Sequence, residues 1–383
     1  MLIDTFLVLS LGLIVISYIG YPIFGVIMGH LTPRKIVIDD QLRPSVTLMV
    51  AAYNEADNIT EKIENSLALE YPLDKLRIVI VSDGSTDGTD DIVKAYSDRG
   101  VELVRVEGRV GKTQARNVAV AQDTSEIIVF SDATAIYDSK VILKLVRNFA
   151  DPQVGMVSGN LKYFDNSESE IGLSTKLYWK YETFIKKAQS RLFTLTGAIG
   201  CINAFRRELY IALPPHIIED FTEPLAIVSG GHRVIFEQEA IAWERTTQKS
   251  DQEFKMRVRV IRGGMSGALY ALSHLGLSRR FSAVLQLISH KVLRWLVPLF
   301  LILVLVLSIV SAAFGSTLGI ILLCLQVLCY GLSIMSLKGL LKGKMAKVGA
   351  IPAYFLVVNA ASLKALYLTL TSELAPTWDT NVY

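Results

Sequence analysis

Apolar residues follow two patterns along this chain. Near both ends they run without interruption. Between Asp4 and Arg34 no Asp, Glu, Lys or Arg occurs, and residues 6–28 are long enough to cross a ~30 Å hydrocarbon layer as one helix. Residues 296–337 are again free of charge. At ~1.5 Å per residue that run would reach ~63 Å, about twice the layer, so it predicts two helices with a turn near Gly315, Ser316 and Thr317. Residues 348–372 predict a fourth span, interrupted by Asn359 and Lys364. Ahead of the second span, residues 281–295 mix apolar positions with His290, Lys291, Arg294 and Trp295. That mixture suits a helix at the headgroup level, or a surface helix leading into the span.

Between the spans the pattern changes to short apolar runs separated by amphipathic stretches. VTLMVAA, RIVIVS, VELVRV, EIIVFS and VGMVSG read as strands. The stretches between them read as helices, one with Ile59, Ile63 and Leu67 at a spacing of four, one around Arg116, and one carrying Val141, Leu145 and Phe149. A βα series of this kind predicts an α/β domain on a mostly parallel sheet, which binds ligands beyond the carboxyl ends of its strands. Asn54 and Glu55 follow the first strand, Asp83 follows the second and Asp132 ends the fourth, so the polar groups converge on one edge. Taken alone, DGSTDGT is an ordinary turn sequence; the convergence gives it weight.

Composition agrees with a chain partly in lipid: 51% of residues are hydrophobic and mean hydropathy is +0.40. The formal net charge of +3 gives no reason to expect a nucleic-acid partner. Cys201, Cys324 and Cys329 form neither a CxxC pair nor a metal-ligand spacing, which suits a reducing compartment. Arg34 and Lys35 follow the first span, and Lys338, Lys342, Lys344 and Lys347 separate the third from the fourth. Positive charge favours the cytoplasmic side, so residues 34–295 are expected inside and both termini outside, with Lys364 discordant.

Candidate chemistry follows from these positions. GRVGKTQARN brings a phosphate-binding loop to mind, but the glycine required five residues before the GK pair is Val106. A nucleoside triphosphatase therefore stays only as a rival reading. Sugar transfer from a nucleotide donor needs polar anchors for the nucleoside, positive charge or metal at the diphosphate, and a base for the acceptor hydroxyl. Asp83 could anchor the nucleoside, Asp132 could hold a divalent cation, and Lys112 or Arg116 could add positive charge. In IIEDFTEPLAI, Glu219 and Asp220 are candidates for the base, or a helix-start acidic pair favoured by the dipole. Arg257, Arg259 and Arg262 could clamp a diphosphate or face lipid headgroups. Tyr178, Trp179 and Tyr181 cluster on one helix and read first as packing residues, and neither His232 nor Glu244 is assigned a role.

The motifs AAYNE (51–55), SDGSTDGT (82–89), GKTQARN (111–117), FSDA (130–133), TGAIGCINAFRREL (196–209) and ED (219–220) together resemble membrane glycosyltransferases of family 2, the group of cellulose, hyaluronan and chitin-oligosaccharide synthases. The resemblance covers roughly residues 44–300. It implies a GT-A fold and inverting transfer. Ala51, Tyr53, Asn54 and Glu55 would line the nucleotide-sugar site with Asp83, Lys112, Arg116, Asp132, Arg259 and Arg262. Asp132 would be the metal ligand for Mg2+ or Mn2+, Asp220 the base beside Glu219, and Gly197 and Cys201 would lie on the acceptor side.

The chain departs from the family pattern in two places. Where the metal motif reads Asp-x-Asp, this sequence has Asp132, Ala133 and Thr134; where Gln-x-x-Arg-Trp is usual, it has Met256 to Val260, keeping only Arg259. Without the aromatic face at Val260, one or a few additions are expected rather than processive extension. The expected organisation is a transmembrane helix at 1–33, a GT-A domain at 40–265, interfacial helices at 266–295, about three spans at 296–372 and a tail at 373–383. The expected setting is the plasma membrane, with a nucleotide-diphosphate sugar as donor, a UDP-sugar first among them, a lipid-linked or glycan acceptor, and lipids around the spans; oligomerisation stays open. A processive synthase and a noncatalytic nucleotide-sugar-binding module are the competing readings.

Overall fold

The computed structural model describes residues 2–164, 170–245, 250–375 and 377. Residue 169, at the head of the aromatic helix, and residues 376 and 378–383 of the expected tail lie outside the described residues.

The apolar runs form the strands they predict. β1 (Val46–Ala52), β2 (Leu76–Asp83), β3 (Val101–Val106) and β4 (Ile127–Asp132) lie parallel. β1 and β4 are apolar on both faces because helices cover both sides of a parallel sheet. Ile59 and Ile63, one turn apart on helix Ala56–Leu67, are fully buried there. Beyond β4 the parallel series stops. β5 (Ile136–Tyr137), β6 (Val154–Phe164), β7 (Ile202–Arg206) and β8 (Arg233–Arg245) complete one sheet in the order β3-β2-β1-β4-β7-β6-β8-β5. β7 runs antiparallel to both β4 and β6, while β6 and β8 pair in parallel. β7, a five-residue strand from the TGAIGCINAFRREL segment, thus lies between β4 and β6.

Four helices, Leu2–Leu31, Phe281–Ala313, Thr317–Leu337 and Gly343–Thr371, are long and apolar enough to cross a membrane. The run at 281–295 is not a separate surface helix: it continues through a π turn at Ile288–Val292 into the second span. Asp4 accepts hydrogen bonds from Ser311 Oγ (2.5 Å) and Ser316 Oγ (3.0 Å), so the start of the first span and the turn after the second share one end of the bundle. At the opposite end Arg34 N donates to Arg191 O (2.9 Å), and Gly25 and Gly29 let the first span pack closely on Ala188 of helix Glu170–Leu192. Helix Ser250–His274 lies between the sheet domain and the last span and packs against both helix Glu219–Ser229 and Gly343–Thr371.

Candidate active site

The parallel strands end level with one another. Ala51 pairs with both Val81 and Asp132, and Asp83 with Val106, so the residues that follow them emerge on one edge. Asn54 turns the chain there with φ 53°, a left-handed conformation that asparagine tolerates better than most residues. Its Oδ1 accepts from Thr86 N (2.8 Å), and its own N–H donates to Ser85 Oγ (3.1 Å). Glu55 N donates to Thr89 Oγ1 (2.9 Å). AAYNE and SDGSTDGT are therefore stitched into one floor. Burial raises the proton affinity of Glu55. Asp83 stands where expected, but its carboxylate accepts from Val110 N (2.8 Å) and Gly111 N (2.9 Å), shaping the loop that leads to Lys112. Gly84 in that floor has φ +70° and abuts the Gly108 carbonyl, so no side chain fits. Arg109, a residue the sequence reading passed over, lies 4.3 Å above the Tyr53 ring.

Beside this floor sits a compact charge cluster. Lys112 Nζ is 2.6 Å from Asp132 Oδ1 and 3.4 Å from Glu219 Oε1. Burial alone would raise Asp132, yet Lys112 and Arg116 outweigh it and hold the carboxyl below its usual range. Arg116, expected at the donor phosphates, is only 1% exposed. Its guanidinium stacks 3.9 Å over Phe130, donates to Gly200 O (3.3 Å) and faces Glu219 (3.4 Å) and Glu223 (3.9 Å). The placement has a plain reason: a buried guanidinium requires a buried counter-charge, and Glu219 supplies it beneath the surface. Glu219 is likewise a buried anchor, accepting from Thr113 Oγ1 (2.9 Å). Burial opposes its charge, but Arg116 and Lys112 bring it down to about 2.

Asp220 differs from its neighbour. Its Oδ1 is shielded and carries no hydrogen bond. Burial raises its proton affinity, and the adjacent Glu219 adds to the effect against Lys112 and Arg116. With the two cations answered by Asp132 and Glu219, Asp220 lacks a full counter-charge, which makes it the stronger base. Any Cβ at Gly200 would overlap its carboxylate. Ala198 N donates to Asp220 O (3.1 Å), which ties the Gly197-containing segment to Asp220. Gly197 itself lies against Phe221. Cys201 is buried below, its carbonyl accepting from Tyr137 OH (2.7 Å), so it presents no surface to an acceptor. Glu244, which the sequence left without a role, reaches this layer beside Cys201 and Asp132, and burial pushes it up to about 7. Its signal in the sequence was absent because β8 had not been recognised as the strand that brings it there. His232 stays at the far side, near Gly155 and Gly230.

Two cavities flank residues 218–221. A small polar one of about 30 Å³ is lined by Lys112, Thr113, Glu219, Asp220 and Arg259 among others. Arg259 is thus placed at the site, whereas Arg262 is not: its Nη2 donates to Ser372 O (2.7 Å) and Glu373 O (2.8 Å), fastening helix Ser250–His274 to the end of the last span. The second cavity, about 490 Å³ and mainly apolar, is walled by Phe221, Val260, Trp295, Tyr178, Tyr181 and residues of the spans. Trp295 packs on Phe221 with ring centroids 5.6 Å apart. The aromatic surface missing at Val260 is therefore present, contributed by the following helix. Tyr178 and Tyr181 face this cavity too, while Trp179 packs on Tyr163 as expected of a structural residue.

A family model, Glycosyl transferase family 2, matches residues 47–213, the segment that builds this edge. The chain carries a family 2 glycosyltransferase domain. It is 28% identical over 229 residues to poly-beta-1,6-N-acetyl-D-glucosamine synthase of Staphylococcus aureus (strain MSSA476), a match covering 57% of this chain and 54% of that protein. The synthase of the same name from Staphylococcus epidermidis is 25% identical over 225 residues, with the same coverage. The chain thus spans about half the length of these curated relatives. Among solved structures, a mannosyltransferase from Pyrobaculum calidifontis, PcManGT, in complex with GDP-Man and Mn2+, superposes with a TM-score of 0.72 over 96% of this chain and 99% of its own, at 22% identity. The fold of the family 2 domain is GT-A.

The residues of this glycosyltransferase domain accommodate a divalent cation only in part. Among the described residues no three His, Cys, Asp or Glu side chains gather into a cage. Asp132 is a lone carboxylate at the strand end, with Lys112 on it. Such a donor set fits a cation whose remaining ligands are substrate phosphate oxygens and water, the usual coordination of Mg2+ and its like.

Proposed function

We propose that this protein is an inverting glycosyltransferase that moves a sugar from a nucleotide-diphosphate donor to a membrane-associated acceptor, a lipid-linked or glycan molecule, in the synthesis of cell-surface polysaccharide or glycolipid. The observation that carries the reading is the contrast between Glu219 and Asp220: the first is neutralised by Arg116 and Lys112, the second is left with an unengaged oxygen and raised proton affinity at the meeting point of a polar and an apolar cavity. Asp220 takes the proton of the acceptor hydroxyl as that oxygen attacks the anomeric carbon. The bond from that carbon to the donor phosphate breaks, and nucleoside diphosphate leaves with the electron pair. Tyr53, Asn54, Glu55 and the loop organised by Asp83 form the nucleoside floor, and Lys112 and Arg259 supply positive charge at the diphosphate. Asp132 would hold Mg2+ or Mn2+, which would neutralise charge developing on the leaving phosphates.

The domain would face the cytoplasm of the plasma membrane, following the Lys and Arg placement. A processive synthase is the second reading; Trp295 beside Phe221 favours it, because it restores the aromatic platform that Val260 removes. The deciving experiment is release of nucleoside diphosphate by purified protein in lipid, screened over UDP-, GDP- and dTDP-sugars with Mg2+ or Mn2+ and with or without membrane lipids. Lipid-stimulated release from one donor is expected, and product length then separates the two readings. No release from any donor, with nucleotide binding intact, would point to the noncatalytic module.

A further inference from the structure

The proposed reaction leaves Glu244 without a task, yet strand pairing carries it into the site. β5 lies antiparallel to β8, with Ile136 opposite Trp243 and Tyr137 opposite Ala242. The next rung sets Glu244 beside Ala135, whose N–H closes a turn on Asp132 O (3.2 Å). On the flanking strand Ser131 pairs with Ile202, so Cys201 arrives one rung further, at Asp132. The Cys201 thiol lies within hydrogen-bonding reach of the Glu244 carboxyl. Gly200, the residue before it, abuts the Asp220 carboxylate. Asp132, Asp220 and Glu244 therefore border one spot, over Gly200 and Cys201.

Exposure separates Glu244 from the carboxylates of the layer below. Glu219 and Glu223 are sealed, whereas Glu244 is half-buried and the Asp132 side chain is 34% exposed. Two lysines act on Glu244 through their charge, and both are engaged elsewhere. Lys112 is held by Asp132 and Glu219; Lys62, fully buried behind the turn, donates to Ala135 O (2.5 Å) and lies over the Tyr137 ring (3.9 Å). Burial, reinforced by Asp132, pushes Glu244 up to about 7, so near neutrality its carboxyl both donates and accepts hydrogen bonds. That capacity matches a hydroxyl, itself donor and acceptor, whereas a divalent cation calls for an ionised carboxylate.

Building on the glycosyltransferase reading, we propose that Glu244 holds a hydroxyl of the donor's sugar ring and so helps to set which sugar the protein accepts. With the nucleoside on the floor of Tyr53, Asn54 and Glu55 and the diphosphate at Lys112 and Asp132, the sugar is the next group along the donor. It must also lie within reach of Asp220 for the acceptor to attack, and the spot over Gly200 and Cys201 meets both demands. A site built to hydrogen-bond a hydroxyl rejects the analogue that lacks it, because the protein group is then left unpaired.

The test uses the full chain in detergent micelles, with affinities for UDP, GDP, UDP-glucose, UDP-N-acetylglucosamine and GDP-mannose measured by isothermal titration with Mn2+. Glu244→Leu should weaken the best-bound sugar nucleotide about tenfold, as loss of a charge-assisted hydrogen bond predicts, and leave the parent nucleoside diphosphate within about twofold. Analogues of that donor lacking one ring hydroxyl at a time identify the contact. One of them should bind wild type about tenfold more weakly, and should bind Glu244→Leu no more weakly than the intact donor does. Should Glu244→Leu fail to bind the nucleoside diphosphate, Glu244→Gln keeps the shape and should show a loss of about threefold with the same non-additivity. Equal weakening of nucleoside diphosphate and sugar nucleotide by Glu244→Gln, loss confined to the Mn2+-dependent part of binding, or additive effects for every missing hydroxyl would overturn the proposal. Sugar transfer by wild type, with donor affinity and kcat/KM unchanged in Glu244→Leu, would overturn it and leave the transferase reading standing. The expected pattern of binding, without turnover of any sugar nucleotide, would support the contact and count against the transferase.

Discussion

The two cavities on either side of residues 218–221 are opposites. One is about 30 Å³, lined by Lys112, Glu219, Asp220 and Arg259; the other is about 490 Å³, lined by aromatic rings and the spans. Asp220 borders the first and Phe221 the second. Consecutive residues at the start of helix Glu219–Ser229 point ~100° apart, so one turn of backbone suffices to serve both. In the proposed reaction the difference would let a charged, water-soluble donor and a membrane-associated acceptor reach Asp220 without mixing their environments. The polar side is built from backbone and short polar side chains at strand ends, the apolar side from helices that converge from distant parts of the chain.

The sharpest way to break that division is at Asp220, the proposed base. Asp220→Asn keeps the shape and removes the proton acceptor, so transfer should fall by ~10²–10⁴, the usual contribution of general base catalysis, while nucleotide binding is retained. Initial rates with isothermal titration of the nucleoside diphosphate check both halves. Full activity in this variant would remove Asp220 from the mechanism. The wild-type rate should also show an acid limb: since burial raises the proton affinity of Asp220, the active ionised form is lost as pH falls, at a pH above the ordinary aspartate range.

Next in size is the layer beneath. Arg116→Met leaves the ionised Glu219 without its buried guanidinium, and breaking such a buried pair costs ~3–5 kcal/mol. Thermal unfolding in detergent should show it as a large drop in midpoint; a midpoint near wild type would mean that Arg116 is not the keystone of the polar side. Glu223 offers a finer reading of the same layer. Burial pushes it up to about 8 from 4.5, so the folded state binds its proton more tightly than the unfolded state does. Its contribution to stability is fully present below pH ~4.5 and is lost as pH rises through about 8. Glu223→Gln cannot titrate, and its midpoint should therefore decline less than that of wild type between pH 5 and 8. Parallel profiles for the two proteins would contradict this.

How much of this was readable in the sequence divides along the same line. The polar side was legible because its elements are local: each strand of the β1–β4 series is a short apolar run followed at once by its polar residue, and hydrogen bonding at the edge keeps those residues together. The placements of Asp132, Lys112 and Asp220 follow from motifs of a few residues. Arg116 and Arg262 went elsewhere because residue type does not reveal depth. One is drawn under the surface by Glu219, the other to carbonyls at the end of a span more than 100 residues away. The apolar side was scarcely legible. The cavity is made by residues 18, 178, 221, 260, 295 and 355, and no periodicity in any one segment reports on such a meeting. Glu244 was hidden for the same reason, since β8 pairs with a strand some 80 residues earlier.

The smallest effect concerns Trp295, where the two sides touch. Gly264 brings helix Ser250–His274 close enough that any Cβ there would press on the indole, which packs on Phe221, and Ser362 Oγ donates to the Trp295 backbone carbonyl (2.9 Å). If it serves as the face on which the acceptor head rests, Trp295→Leu keeps apolar volume but loses the aromatic plane. Such contacts contribute ~0.5–1.5 kcal/mol. KM for the acceptor should rise by a few-fold to about tenfold with kcat and donor affinity nearly unchanged, and Trp295→Phe should recover most of the loss. A fall in kcat of the same size as the rise in KM would show instead that the ring positions Phe221, and through it Asp220, so the split between the two constants decides to which cavity Trp295 belongs.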